Sequence, residues 1–325
     1  MSRLAVLLLL LAGCATGGPH VDALLRDYDG DVPGASVLVI DDGRVVVRKA
    51  YGLADVKAKR PAMPATNYRL ASITKQFTAA AILELNLNLD DDIRKWLPSL
   101  PVQGVTVRHL LTHTSGLIDY EDVIPEGTTA QLRDADVLRL LELQDRTYFT
   151  PGTSYRYSNS GYALLALIVE KASGQSFATF LRGRIFRPLR MHNTVAFEDG
   201  VSSVPNRAYG TPRDQSLTSA VLGDGGIYSS VDDLAKWDAA LYDPKYEIAF
   251  APRTKTDDPS VEYGFGWRIS RHRGERMVWH SGETSGFRNV LIRFPARKLT
   301  VILLTNRADG EPYRIALAIA GAWIR

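Results

Sequence analysis

Ser36-Val37-Leu38-Val39-Ile40, then Asp41-Asp42-Gly43, then Arg44-Val45-Val46-Val47-Arg48 reads as two β-branched runs joined across an Asp-Gly turn, the strongest short-range hairpin signal. Period-two patterning returns far along the chain in Phe265–Ser270, Met277–His280, Arg288–Phe294 and Lys298–Thr305, with turns expected at Gly274, Gly282 and Pro295. Between these ends the pattern is helical. One helix starts at Ser72 and runs through Leu83, and a second covers Gly161 to Ala172 and closes at Ser173-Gly174. A third starts at Ser230, which forms a capping-box pattern with Asp233, and extends to about Tyr242. Ile315, Leu317, Ile319 and Trp323 mark a last apolar-rich helix. Strands at both ends with helices between predict an α/β (α+β) fold. One antiparallel sheet is assembled from the two termini, flanked by helices and interrupted by a mainly helical insert. On this reading residues 20–325 form one domain, with its sheet part at about 20–58 and 260–325 and its helical part at about 59–259.

The chain has 325 residues, 39 Lys+Arg against 36 Asp+Glu, and 45% hydrophobic residues. This is globular composition and excludes a disordered, collagenous or coiled-coil protein. A net charge of +3 spread along the chain supplies no basic stripe, so nucleic acid is not an expected partner.

The single cysteine, Cys14, excludes an intramolecular disulfide and a multi-cysteine metal site. It follows Arg3, the apolar run Leu4–Leu11, and Ala12-Gly13, a signal-peptide pattern too short to span a bilayer. The segment resembles a bacterial lipoprotein signal, in which residues 1–13 are removed and Cys14 is lipidated; the alternative is an ordinary secretory signal with a chance cysteine. The lipoprotein reading implies a lipid-anchored, periplasm-facing protein of the bacterial cell envelope, touching the membrane through its acyl chains.

Chemistry is concentrated in three short motifs. Ser72-Ile73-Thr74-Lys75 puts a hydroxyl and an amine on one face of a helix start, and a neighbouring base is what a serine needs to become a nucleophile. Alone it also reads as a serine cap beside a solvated lysine. Tyr157-Ser158-Asn159 follows Pro151-Gly152 and precedes the second helix. A phenol ionises near pH 10, so service as a base near neutrality requires about 4 kcal/mol of differential stabilisation, which a nearby ammonium such as Lys75 can supply. The other reading is a buried tyrosine tied to a carbonyl. His280-Ser281-Gly282-Glu283 ends an edge-like strand. It is either a polar turn or, through the backbone of Glu283 together with that of Ser72, a pair of N–H donors for an oxyanion.

Taken together and in this order, Ser72-x-x-Lys75, Tyr157-x-Asn159 and His280-Ser281-Gly282 resemble the penicillin-recognising serine enzymes: class C β-lactamases, D-alanyl-D-alanine carboxypeptidases and related serine carboxylesterases. Leu110–Leu117, Tyr157–Tyr162, Gly223-Asp224-Gly225-Gly226 and Tyr263–Trp267 are similar to phrases of that family. The resemblance implies a β-lactamase/transpeptidase-like fold, Ser72 as acylated nucleophile, Lys75 and Tyr157 as proton relay, and Asn159, His280, Ser281, Gly282 and Glu283 around the substrate. It implies no cofactor and no metal. His280 stands where many relatives carry lysine, and an imidazole is mostly neutral above about pH 6.5, so the expected preference is for neutral acyl esters over carboxylate-bearing substrates. Leu85-Asn86-Leu87-Asn88-Leu89-Asp90-Asp91 lacks the glycine turn usual after the SxxK helix, and Asp243–Glu262 is shorter than usual. His109 and His113 have zinc spacing, but no HExxH accompanies them.

The expected activity is an esterase-like serine hydrolase acting on small acyl esters or amides. The alternatives are a β-lactamase or peptidoglycan carboxypeptidase taking a β-lactam or cell-wall peptide, and a non-catalytic binding lipoprotein.

Overall fold

The computed structural model describes residues 18–324; the leader and Cys14 lie outside them. Eight strands form one antiparallel sheet: β1 (Ala35–Asp41), β2 (Arg44–Tyr51), β3 (Thr254–Lys255), β4 (Glu262–Tyr263), β5 (Arg268–His272), β6 (Glu275–Thr284), β7 (Phe287–Phe294) and β8 (Leu299–Thr305). Their order across the sheet is β2-β1-β8-β7-β6-β5-β4-β3, so the N-terminal hairpin pairs directly with the last strand. Asp42 and Gly43 both take positive φ, 47° and 74°, as a two-residue hairpin turn of matching twist demands.

Side-chain alternation along these strands builds two separate cores. Val37, Val39, Val290, Ile292, Val301 and Leu303 pack with Val21 and Leu25 of α1 (Gly18–Leu25) and with Ala316 and Ile319 of α5 (Pro312–Ala320). Leu38, Ile40, Val278, Leu291, Ile302 and Leu304 face the other way. They meet the helical body of α2 (Lys75–Glu84), α3 (Asn159–Ser173) and α4 (Val231–Ala240). Each such aliphatic side chain contributes about 1.5–3 kcal/mol on burial. A one-residue slip would exchange the two sets of side chains between faces, so both faces enforce the register.

The helices follow their sequence signals with local adjustments. Ser230 Oγ accepts from Asp233 N at 3.2 Å, but the Asp233 carboxylate turns instead to Asn193 N and Lys236 Nζ. Asn86, after the end of α2, takes φ +50° and fills the left-handed position that glycine usually occupies at a helix exit. Phe265–Trp267 precede β5 rather than forming part of it. Gly266 bends there at φ +77° with its Cα so close to α2 that a Cβ would lie 2.6 Å from Lys75 O. Gly282, expected at a turn, lies inside β6, and the turn falls at Ser285-Gly286.

One polar contact latches the helical body to the sheet. Asp238 of α4 accepts from Arg293 Nε of β7 at 2.5 Å and from Thr300 Oγ1 of β8 at 2.7 Å, all three residues being buried. Removing one member of a buried pair strands the other charge without water. Asp238→Ala is expected to lower the unfolding free energy by about 3–5 kcal/mol. Asp22→Ala, which breaks an exposed bridge to Lys49, should change it by no more than about 1 kcal/mol. Urea denaturation of the two variants side by side measures the contrast.

Candidate active site

The chain reaches Ser72 through a strained turn. After the short strand Tyr68–Arg69, Ala71 adopts φ +50° and a single 3-10 turn, Ala71–Thr74, leads into α2. Ser72 is half-buried in a cavity of about 300 Å³ whose wall includes Arg69, Glu121, Asn159, Asp224 and Glu283. Its N–H lies in the first turn of a helix, where backbone donors have no intrahelical acceptor.

Lys75, one turn on, is fully buried. Its Nζ donates to Ser72 Oγ at 3.1 Å, Asn159 Oδ1 at 2.8 Å and Asp224 O at 3.0 Å, which uses all the donors of an ammonium. Two of these acceptors come from distant segments. Asn159 is the first residue of α3, which Ser158 caps by accepting from Gly161 N at 3.1 Å. The Asn159 Nδ2 donates to Glu121 Oε1 at 3.0 Å. A carboxylate only accepts, so this bond turns the amide oxygen toward Lys75. Asp224 belongs to the short helix Leu222–Gly225, whose first N–H groups, at Leu222 and Gly223, donate to Asp134 at 2.9 Å.

Tyr157 stands beside this centre, with its ring centroid 5.0 Å from Lys75 Nζ and 5.5 Å from the Arg268 guanidinium. His113 packs against the ring at 4.3 Å between centroids, and its Nδ1 accepts from Ser158 N at 3.1 Å. Burial, reinforced by Lys75 and His280, pushes the His113 imidazole well below its ordinary range, so this support is neutral.

His280 is placed differently from the expectation. Strand alternation puts it on the same face as Val278, buried and 1% exposed, behind the cavity wall. Its Nδ1 donates to Ser281 O at 2.6 Å, which leaves Nε2 to accept from Tyr263 Oη at 3.0 Å. Burial and the Arg268 charge hold it well below the usual histidine range. With both nitrogens engaged, His280 is a neutral group packed behind the cavity wall. Ser281 likewise does not line the cavity, whereas Glu283 does and bridges to Arg288 Nη1 at 2.7 Å.

The edge-like character of this strand starts later than expected. Val278 and Trp279 are paired on both sides, but pairing with β5 ends at Arg268↔Trp279, and His280–Thr284 pair with β7 alone. The free edge meets the Ser72 turn at Gly282, where a Cβ would lie 2.0 Å from Leu70 O and 3.2 Å from Ser72 N. Only glycine allows the contact.

Three cavity residues gave no catalytic signal in the sequence: Arg69, Glu121 and Asp224. Glu121 follows the Leu110–Leu117 phrase and Asp224 lies in the glycine-rich phrase, but nothing in either spacing marks a carboxylate that faces a serine. Burial pushes the Asp224 carboxyl up to about 7 against the pull of Lys75, and burial together with Asp119 raises Glu121. His109 and His113 do not converge. His109 Nδ1 accepts from Thr106 N at 3.2 Å to close a helix cap, and no group of three or more His, Cys, Asp or Glu positioned to hold a metal occurs among the described residues.

The contact at Gly282 is directly testable. Gly282→Ala is expected to push β6 away from Ser72 and, since about 1 Å of misplacement costs roughly 100-fold, to lower the rate of Ser72 acylation about 100-fold. Fluorophosphonate labelling rates measure the loss, and circular dichroism checks that the fold is retained.

Comparison with known proteins identifies the family and the fold. The family model described as Beta-lactamase matches residues 21–322. Penicillin-binding protein 4* of Bacillus subtilis is 34% identical over 323 residues, covering 89% of this chain and 71% of the relative. A D-aminopeptidase of Gluconobacter oxydans is 30% identical over 93% of this chain and 61% of its own length. Among solved structures, an octameric penicillin-binding protein homologue from Pyrococcus abyssi superposes with a TM-score of 0.83 at 29% identity, covering 95% of this chain and 76% of that one. The chain belongs to the beta-lactamase family, with the mixed helix and antiparallel-sheet fold of its penicillin-binding members.

Proposed function

We propose that this protein is a serine hydrolase that cleaves amides or esters through an acyl-enzyme on Ser72. The observation that carries the reading is the buried Lys75 Nζ at 3.1 Å from Ser72 Oγ, held there by Asn159 and Asp224. Similarity to penicillin-binding protein 4* and to a D-aminopeptidase supports it.

In this mechanism the reacting form of Lys75 is the neutral amine, whose lone pair takes the proton of Ser72 Oγ along their 3.1 Å contact as that oxygen attacks the substrate carbonyl. The negative oxygen of the tetrahedral intermediate takes the backbone N–H groups of Ser72 and Glu283, each such donor being worth about 10²–10³ in rate. The relay of Lys75 and Tyr157 returns the proton to the departing amine or alkoxide, which leaves the acyl group esterified to Ser72. Water then attacks that ester by the reverse route and releases the acid. General acid–base help of this kind contributes about 10²–10⁴-fold.

A preference for neutral esters drew on His280 facing the substrate. With His280 behind the wall, the charge felt by a substrate comes from Arg69, Glu121, Asp224 and Glu283. β-Lactam acylation is a second reading, supported by the likeness to penicillin-binding protein 4*. The Leu4–Leu11 run before Cys14 supports a lipid anchor that holds this chemistry at the cell envelope.

Intact mass after incubation with a fluorophosphonate should show one adduct on wild type and none on Ser72→Ala; an unlabelled but folded wild type would indicate a binding protein instead. Lys75→Met should lower kcat/KM for p-nitrophenyl acetate by at least about 10³, read by steady-state kinetics. In cells fed an alkyne fatty acid, the full chain should incorporate the label and Cys14→Ser should not.

A further inference from the structure

We infer that Asp134 is a positioning residue for the general base: its carboxylate fixes the Asp224 carbonyl, one of the two acceptors that aim the lone pair of Lys75 at Ser72. This rests on the serine-hydrolase reading above and extends it to a residue outside the cavity.

A neutral amine has two N–H groups and one lone pair. At Lys75 the acceptors other than Ser72 are Asn159 Oδ1 at 2.8 Å and Asp224 O at 3.0 Å. When each takes one N–H, the lone pair is left on the side of Ser72 Oγ, 3.1 Å away. Moving either acceptor turns it off that line. Asn159 is set by its place at the start of α3 and by Glu121. Asp224 O is set by the helix Leu222–Gly225, and four residues are far too few for a helix to hold its own shape. Its position must come from its neighbours.

Asp134 is the neighbour on the side away from Lys75. It is the first residue of the helix Asp134–Glu142, is buried, and takes no part in the cavity wall. Its Oδ2 accepts from Leu222 N and its Oδ1 from Gly223 N, both at 2.9 Å. Each bond uses a separate oxygen, which an ionised carboxylate supplies twice and an amide only once. The carbonyls of the same short helix turn the other way, to α2: Gly223 O accepts from Thr78 Oγ1 at 2.6 Å and Asp224 O from Lys75. Gly223 also presses on α3 so closely that a Cβ would lie 2.2 Å from Tyr162 O. The short helix is thus a wedge between Asp134 and Lys75, and the carboxylate closes the side that α2 and α3 leave open. Burial pushes the Asp134 carboxyl up to about 7 against the pull of the two N–H groups, so work at about pH 8 keeps it ionised.

The test measures fluorophosphonate labelling of Ser72 on the full chain at about pH 8. Asp134→Asn, nearly the same shape with one acceptor fewer, should slow labelling about 10–100-fold. Asp136→Asn, which alters a carboxylate in the first turn of the same helix, should stay within about twofold of wild type. A crystal structure of Asp134→Asn should show Asp224 O more than about 3.5 Å from Lys75 Nζ, with Asn159 Oδ1 still bound. In a Lys75→Met background Asp134→Asn should change the residual labelling by less than about twofold, since the group it positions is gone; if that background does not label, the crystal comparison decides. Should Asp134→Asn not fold, Asp134→Ser replaces it throughout. Labelling at the wild-type rate, an equal loss in Asp136→Asn, an intact Lys75–Asp224 contact, an equal loss in the Lys75→Met background, or failure of both Asp134 variants to fold overturns the inference and leaves the hydrolase reading standing. Failure of fluorophosphonate to label wild-type Ser72 removes both.

Discussion

A fully buried ammonium is among the more expensive groups a protein can place in its interior, and the site is organised around meeting that cost at Lys75. Its acceptors come from the turn that carries Ser72, from the first residue of α3 and from the carbonyl of the short helix Leu222–Gly225. Each segment has its own reason to be there. Ser158 caps α3, Asp134 caps the short helix, and the strained Ala71 points the serine inward. All three acceptors are in place only when these segments are docked against α2.

The second constraint is steric. The sheet contributes to the site where β6 runs past its last pairing with β5 and exposes a free edge, and the absence of a side chain at Gly282 lets that edge touch Leu70 and Ser72. The same alternation that divides the strands between two cores turns His280 inward to Tyr263 and leaves Glu283 at the cavity. The backbone of that free edge therefore meets the Ser72 turn, with the neutral imidazole packed behind it.

Much of this was legible in the sequence because it depends on periodicity and short spacing. The Asp-Gly hairpin, the return of period two near the C-terminus, and the Ser72/Lys75 spacing on one helix face are local signals, and each corresponds to a described element. The rest depends on contacts between segments far apart in the chain. Gly282 resembles a turn residue until Leu70 O is seen 2.0 Å from where its Cβ would be. Whether His280 points into the site or the wall is decided by strand register. Asp224 and Glu121 are ordinary acids in loop-like phrases, and only tertiary packing buries one and turns both toward a serine. Residues 1–17, with Cys14, are read from sequence alone.

The account stands on Ser72 attacking a carbonyl while the N–H groups of Ser72 and Glu283 hold the resulting oxyanion. A crystal structure of the fluorophosphonate adduct tests this most directly. The account predicts phosphorus bonded to Ser72 Oγ and its oxygen about 2.7–3.1 Å from both backbone nitrogens, with Lys75 still bound to Asn159. An adduct on another residue, or a phosphonyl oxygen turned away from Glu283 N toward solvent, would contradict it.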